Sequence, residues 1–223
     1  METTEKIVEA YTRYVKGWAT IPNIKCPGQY EIDLLAVDPK TGNRFHIESG
    51  VSISGGFSKL TTKPFSEDDL KVRTKQAQQR RTLGYFLDRK FSAKGVLETL
   101  KHFGFEPGNY TKVIVTWDAT DAAKHEAKTS GVHVWYFPEI MAEISSSFKD
   151  KRTYFTDDTL RTLHLYAKVF EHTGIPGIHE VIRQNLHGEW RKKKGAQPDG
   201  AANGSQPIRS ETNRTSSAAG SRR

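Results

Sequence analysis

The feature that most constrains this chain is a carboxylate set inside an aliphatic run. In Tyr30-Glu31-Ile32-Asp33-Leu34-Leu35-Ala36-Val37 the aliphatic and β-branched residues predict a strand, and Asp33 stands among side chains that belong in a core. An ionised group in that setting is costly unless it is paired or bound to a metal. Phe45-His46-Ile47-Glu48-Ser49 repeats the pattern with Glu48. Between the two runs lies Asp38-Pro39-Lys40-Thr41-Gly42-Asn43, whose Pro, Gly and Asn mark a hairpin loop. Alternation alone can send one acid of a strand to solvent. Two acids across one hairpin are harder to explain that way.

Around this hairpin the periodicity predicts a helix over 4–17, with Ile7, Tyr11, Tyr14, Val15 and Trp18 on one face. Strands follow at 19–25, 30–37 and 44–53, then a loop over 54–64 containing Gly55-Gly56. Ser66-Glu67-Asp68-Asp69 caps the next helix with acids in its first turn, and that helix carries Val72, Gln76, Gln79, Leu83, Phe86 and Leu87 on one stripe. A short helix at 93–103, a strand at 111–117, a helix at 120–130, a strand at 131–137 and a helix at 139–145 complete the order, the last opened by Pro138. The order α-β-β-β-α-α-β-α-β-α predicts an α/β fold with a mixed central sheet flanked by helices.

The chain of 223 residues is expected to divide into a domain at 1–148, a helical extension at 149–194 and a disordered basic tail at 195–223. In the extension, Thr156-Asp157-Asp158 caps a helix bearing Leu160, Leu163, Leu165, Tyr166 and Val169, and a second helix spans 175–186. That pair suits a dimer or DNA contact, or simply packs back on the domain. Net charge is +8, of which residues 191–223 supply +6 and residues 1–190 only +2. Basicity of the core is therefore weak, and Trp190-Arg191-Lys192-Lys193-Lys194 can be a phosphate contact or a solvated helix end. The single cysteine, Cys26, excludes an internal disulfide and a thiolate zinc cage. The longest apolar runs are far short of the ~20 residues that span a bilayer. The acidic first residues lack a secretory pattern, so no membrane partner and a cytoplasmic location are expected.

Gly28 to Val37, the short hairpin and His46-Ile47-Glu48 resemble the PD-(D/E)XK nucleases, most nearly the Mrr-type restriction endonucleases and the archaeal-type Holliday-junction resolvases. Lys112 to Thr120, the alanine-rich stretch to Ala127 and Gly131-Val132-His133-Val134-Trp135 are similar to the strand, helix and strand that end that family's core, so the likeness covers about residues 5–145. It implies a restriction-endonuclease-like fold and hydrolysis of phosphodiester bonds in DNA with Mg or Mn. Nucleases that cut both strands often pair two active sites, which makes a homodimer an open alternative.

By the same resemblance Asp33 is the metal-binding aspartate, Glu48 the acid of the signature, and Glu5, on the first helix, an accessory metal ligand. The signature lysine is missing: Gly50 stands in its place. Glycine can neither orient water nor stabilise developing negative charge. Three explanations stand side by side: a lysine from elsewhere, a polar substitute, or a nuclease fold that only binds nucleic acid or a protein partner. Lys75, bordering the Gln76/Gln79 face, is the first candidate lysine; Lys71, Lys59 and Lys63 follow. Gln79, ahead of Gln76, is the candidate amide, because buried amides need partners. Lys71, Arg73, Arg80 and Arg81, with Lys75, form a cationic run suited to phosphate, and a solvated charged face accounts for it equally well.

Overall fold

Alternating side chains of one hairpin divide two helical layers between the faces of its sheet. The structure is a computed structural model that describes residues 2–52, 58–148 and 154–173. Strands β1 (Ala19–Cys26), β2 (Tyr30–Val37) and β3 (Arg44–Ser49) form an antiparallel meander. β5 (Tyr110–Thr116) and β7 (Val132–Tyr136) then add in parallel, in the order β1-β2-β3-β5-β7. The molecule is thus an α/β fold with a five-stranded mixed sheet flanked by helices, as the periodicity predicts. The third strand stops at Ser49 rather than reaching 53.

On one face, Leu34, Ala36, Ile47, Val113 and Val115 pack against α1 (Thr3–Tyr14), α6 (Phe137–Phe148) and α7 (Asp158–Thr173). Leu160, Leu163 and Ala167 of α7 join this core, so α7 packs back on the sheet layers. On the other face, Ile32 and Leu35 meet Val96 and Leu100 of α4 (Lys94–His102), while Ile114 and Val132 meet Ala123 and Ala127 of α5 (Asp121–Thr129). Gly95 lets α4 approach the β1–β2 turn, since a Cβ there would lie 2.1 Å from the Pro27 carbonyl oxygen.

The single helix expected after Ser66 is a correction. The chain forms α2 (Glu67–Lys71), an extended Val72 (ψ 112°), α3 (Gln76–Gln79) and a π-helix, Tyr85–Phe91. Between α3 and the π-helix the continuity is broken where Thr61 bridges Thr82: Thr61 N–H donates to the Arg81 carbonyl at 2.9 Å, and Leu83 N–H donates to the Thr61 carbonyl at 2.8 Å. Two short strands, β4 (Lys59–Leu60) and β6 (Asp118–Ala119), pair in parallel beside this bridge, and β4 lies inside the stretch expected to be a loop. In the π-helix the wider turn turns Phe86 and Phe91, five residues apart, into the same core with Leu83 and Leu60. The helix expected at 175–186, the basic cluster at 190–194 and the tail lie outside the described residues. No helix among the described residues is long and apolar enough to cross a membrane.

Candidate active site

Where the β2–β3 ladder ends, side chains replace backbone pairing. The last paired residues are Leu34 and Ile47. Beyond them, Asp33 N–H reaches Glu48 Oε1 at 3.4 Å, and Ser49 N–H donates to Asp33 Oδ2 at 2.8 Å. The hairpin therefore brings the two predicted carboxylates together: Asp33 is 7% exposed and Glu48 is fully enclosed. Asp33 lines a cleft of about 640 Å³, whereas Glu48 sits behind it.

The cation at this pair is Lys90, from the π-helix. Its Nζ lies 2.9 Å from Asp33 Oδ1, 2.5 Å from Glu48 Oε2 and 3.0 Å from the Glu31 carbonyl oxygen. The Glu48 Oε2 contact is an ion pair without good hydrogen-bond alignment. Burial opposes the Lys90 charge, but Glu48 and Asp33 outweigh it and raise its pKa. Burial also pushes both carboxyls up to about 7. For Asp33 the neighbouring Glu48 adds to this, and Lys90 and the Ser49 amide offset part of it; for Glu48 Lys90 again offsets part. One ammonium does not balance two desolvated anions.

His46 completes the cluster. It lies two residues before Glu48 on the same face of β3, fully buried, with Nε2 2.6 Å from Glu48 Oε1. Burial, with Lys90 and Lys112 nearby, depresses its pKa to about 3 against the pull of Asp33, so the ring is neutral and Nε2 shares one proton with Glu48 Oε1.

Gly50 and the π-helix are coupled by packing. A Cβ at position 50 would lie 2.5 Å from Cζ of Phe86, a ring fixed in the core. Residue 50 thus has no room for a side chain unless the Phe86 ring or the π-helix that delivers Lys90 shifts.

The remaining predicted residues separate. Lys75 is a correction: its Nζ pairs with Asp69 at 2.8 Å on the surface and touches neither carboxylate, because the broken helix turns it away. Gln79 is buried as expected, but its Oε1 accepts from Ser66 N–H at 3.0 Å and its Nε2 lies 3.5 Å from Asp69 Oδ2. Its amide ties down the start of α2; Gln76, not Gln79, lines the cleft. Glu5 also lines the cleft, with its Oε2 accepting from Glu2 N–H at 2.9 Å. Burial raises its pKa, the Glu2 amide offsets this and Asp33 adds to it. Among the described residues no three His, Cys, Asp or Glu side chains are grouped to enclose an ion, so Glu5 stands near the pair and not in it.

Lys71, Arg80 and Arg81 line the cleft, and Arg73 does not. Arg81 Nη1 donates to the Gly50 carbonyl, anchoring the guanidinium beside the pair. Arg89, unforeseen in the sequence, also lines the cleft; it lies 4.9 Å over the Tyr30 ring and pairs with Glu67 at 3.0 Å.

Comparison with protein-family models, with curated proteins and with solved structures finds no match. Any functional assignment rests on the carboxylate–lysine cluster and the cleft above it.

Proposed function

We propose that this protein hydrolyses phosphodiester bonds in nucleic acid, DNA first, with Mg or Mn at Asp33 and Glu48 and with Lys90 in the place of the missing signature lysine. One observation carries the reading: a lysine from a different element reaches both carboxylates across a position that packing forces to be glycine. The donor set suits a hard divalent ion. Two carboxylates with the rest of the shell left to water and phosphate is the arrangement magnesium takes, and the surplus negative charge at the pair favours a cation of higher charge than an ammonium.

A bound ion of this kind lowers the pKa of water and polarises the phosphate. Asp33 and Glu48 hold it. Lys90 keeps its proton and supplies positive charge beside the scissile phosphate as negative charge develops on the oxygens. Arg80, Arg81, Lys71 and Arg89 contact flanking phosphates and fix the strand in the cleft, which converts attack by water into a positioned step. Water attacks phosphorus and gives up a proton to solvent in the cleft, the bond from phosphorus to the departing sugar oxygen breaks, and that oxygen takes a proton from solvent.

A second reading draws on one feature. Lys90 touches both carboxylates, so it can act as a permanent internal counter-ion in a module that binds nucleic acid without cutting it.

The deciding experiment measures Mg and Mn binding by calorimetry, and cleavage of single-stranded and duplex DNA, for the wild-type chain and Asp33→Ala/Glu48→Ala. Ion binding and cleavage that vanish in the folded double mutant are the expected result. Nucleic-acid binding with no divalent-ion requirement and no cleavage would sink the enzyme and leave the binding module.

A further inference from the structure

His46 has no part in the proposed chemistry, yet it makes the shortest hydrogen bond in the cluster. We infer that His46 fixes Glu48 as a one-oxygen ligand and thereby sets the cation preference of the pair, Mg²⁺ or Mn²⁺ over Ca²⁺. The inference rests on the reading of Asp33 and Glu48 as a cation site.

Three features carry it. First, the His46 ring is immobile: it is fully buried, with Phe91 edge-on at 4.9 Å and Tyr110 at 6.2 Å. Second, its protonation is set by its neighbours. Once Glu48 is ionised, as a cation ligand must be, the 2.6 Å contact needs the proton on Nε2, while Nδ1 has no partner among the described residues and is least costly there as a bare acceptor. Third, Glu48 Oε1 is already committed, to His46 Nε2–H and to Asp33 N–H at 3.4 Å. Only Oε2 is left, turned to Lys90.

Cation chemistry turns that geometry into a preference. Calcium takes roughly 6–8 oxygen ligands and commonly draws both oxygens of a carboxylate, whereas magnesium keeps a small octahedral shell with one or two carboxylates and several waters. A glutamate whose second oxygen is held by a buried imidazole cannot chelate, so the pair disfavours the larger ion. Hydrogen bonds behind a metal ligand commonly change ion affinity by about 10–100-fold.

The test uses the full chain, titrated calorimetrically with MgCl₂, MnCl₂ and CaCl₂, as wild type, His46→Leu and His46→Gln. In wild type Mn and Mg bind more tightly than Ca. His46→Leu narrows that gap by about tenfold, through a gain for Ca. His46→Gln, which keeps an N–H near the Nε2 position, restores most of it. A folded His46→Leu protein with wild-type ion preference overturns the inference while leaving the cation site intact; a wild-type chain that binds none of the three ions removes the site itself and the inference with it. Should His46→Leu fail to fold, nitrogen-15 shifts of the wild-type imidazole decide. The Nε2–H form is expected, and the Nδ1–H form refutes the role given to His46.

Discussion

Lys90 is one positive charge shared by two buried carboxylates, and it occupies the space between them. Its removal therefore has two effects of opposite sign. Lys90→Met is expected to lower cleavage by on the order of 100-fold or more, the scale set by losing one charge-stabilising donor. The same variant should bind Mn²⁺ as tightly as wild type or tighter, because the ion no longer competes with an ammonium. Calorimetry beside a cleavage assay checks both, and a loss of ion binding in step with cleavage would show that Lys90 helps to build the ion site. Protonation acts on the same two oxygens. Both carboxyls are raised to about 7, so near pH 6 an arriving ion must displace protons from the pair that are already gone at pH 8. Affinity for Mn²⁺ is expected to fall by about tenfold or more per pH unit below that range. A profile flat down to about pH 5 would mean that the pair is fully ionised without the ion.

At the level of elements, the π-helix and the segment before it control the site. Gly50→Ala sets a methyl group against Phe86, and overpacking of this kind costs about 1–3 kcal/mol, readable as a lower urea midpoint. Gln79→Ala removes the amide that holds the Ser66 N–H; it should cost about 1 kcal/mol and leave ion affinity unchanged, whereas a catalytic glutamine would show the reverse. The hairpin that carries Asp33 and Glu48 is legible in the sequence because its signals are local: period-two alternation and turn residues. Lys75 and Gln79 take site roles in the sequence only while residues 66–87 are read as one helix, and the Thr61–Thr82 bridge that breaks it joins residues 21 apart. Signals for Lys90 and His46 do exist. Leu83, Phe86 and Lys90 fall on one helical stripe, so a lysine stands among core residues, and His46 shares the strand face of Glu48 by simple alternation. A basic side chain on an apolar face is as informative as an acidic one.

For the whole molecule, the cluster links ion binding to folding. A carboxyl raised in the folded state favours folding at low pH, and that contribution is lost as pH rises through about 7. His46, depressed to about 3, works the other way: the unfolded chain takes up its proton below about 6.5, so acid weakens the fold through this residue down to about pH 3. Magnesium bound at the pair, as proposed, would relieve only the first of these strains. It should therefore raise Tm more at pH 8 than at pH 6, measured by calorimetric melting at fixed ion concentration; equal shifts at both pH values would contradict the linkage. Cations are also unevenly placed, with ten Lys/Arg against four Asp/Glu between residues 59 and 94, the segment that forms the basic wall of the cleft.

The contact between position 50 and the Phe86 ring reaches beyond stability. A lysine at 50 and a phenylalanine at 86 are mutually exclusive, since the side chain of one needs the volume filled by the other. Trimming residue 86 first would hollow the core beneath the helix that holds Lys90; extending residue 50 first would force that helix outward. Packing thus ties the two positions together: whatever residue 50 gains in volume, residue 86 must give up, and the seat of Lys90 moves with that exchange.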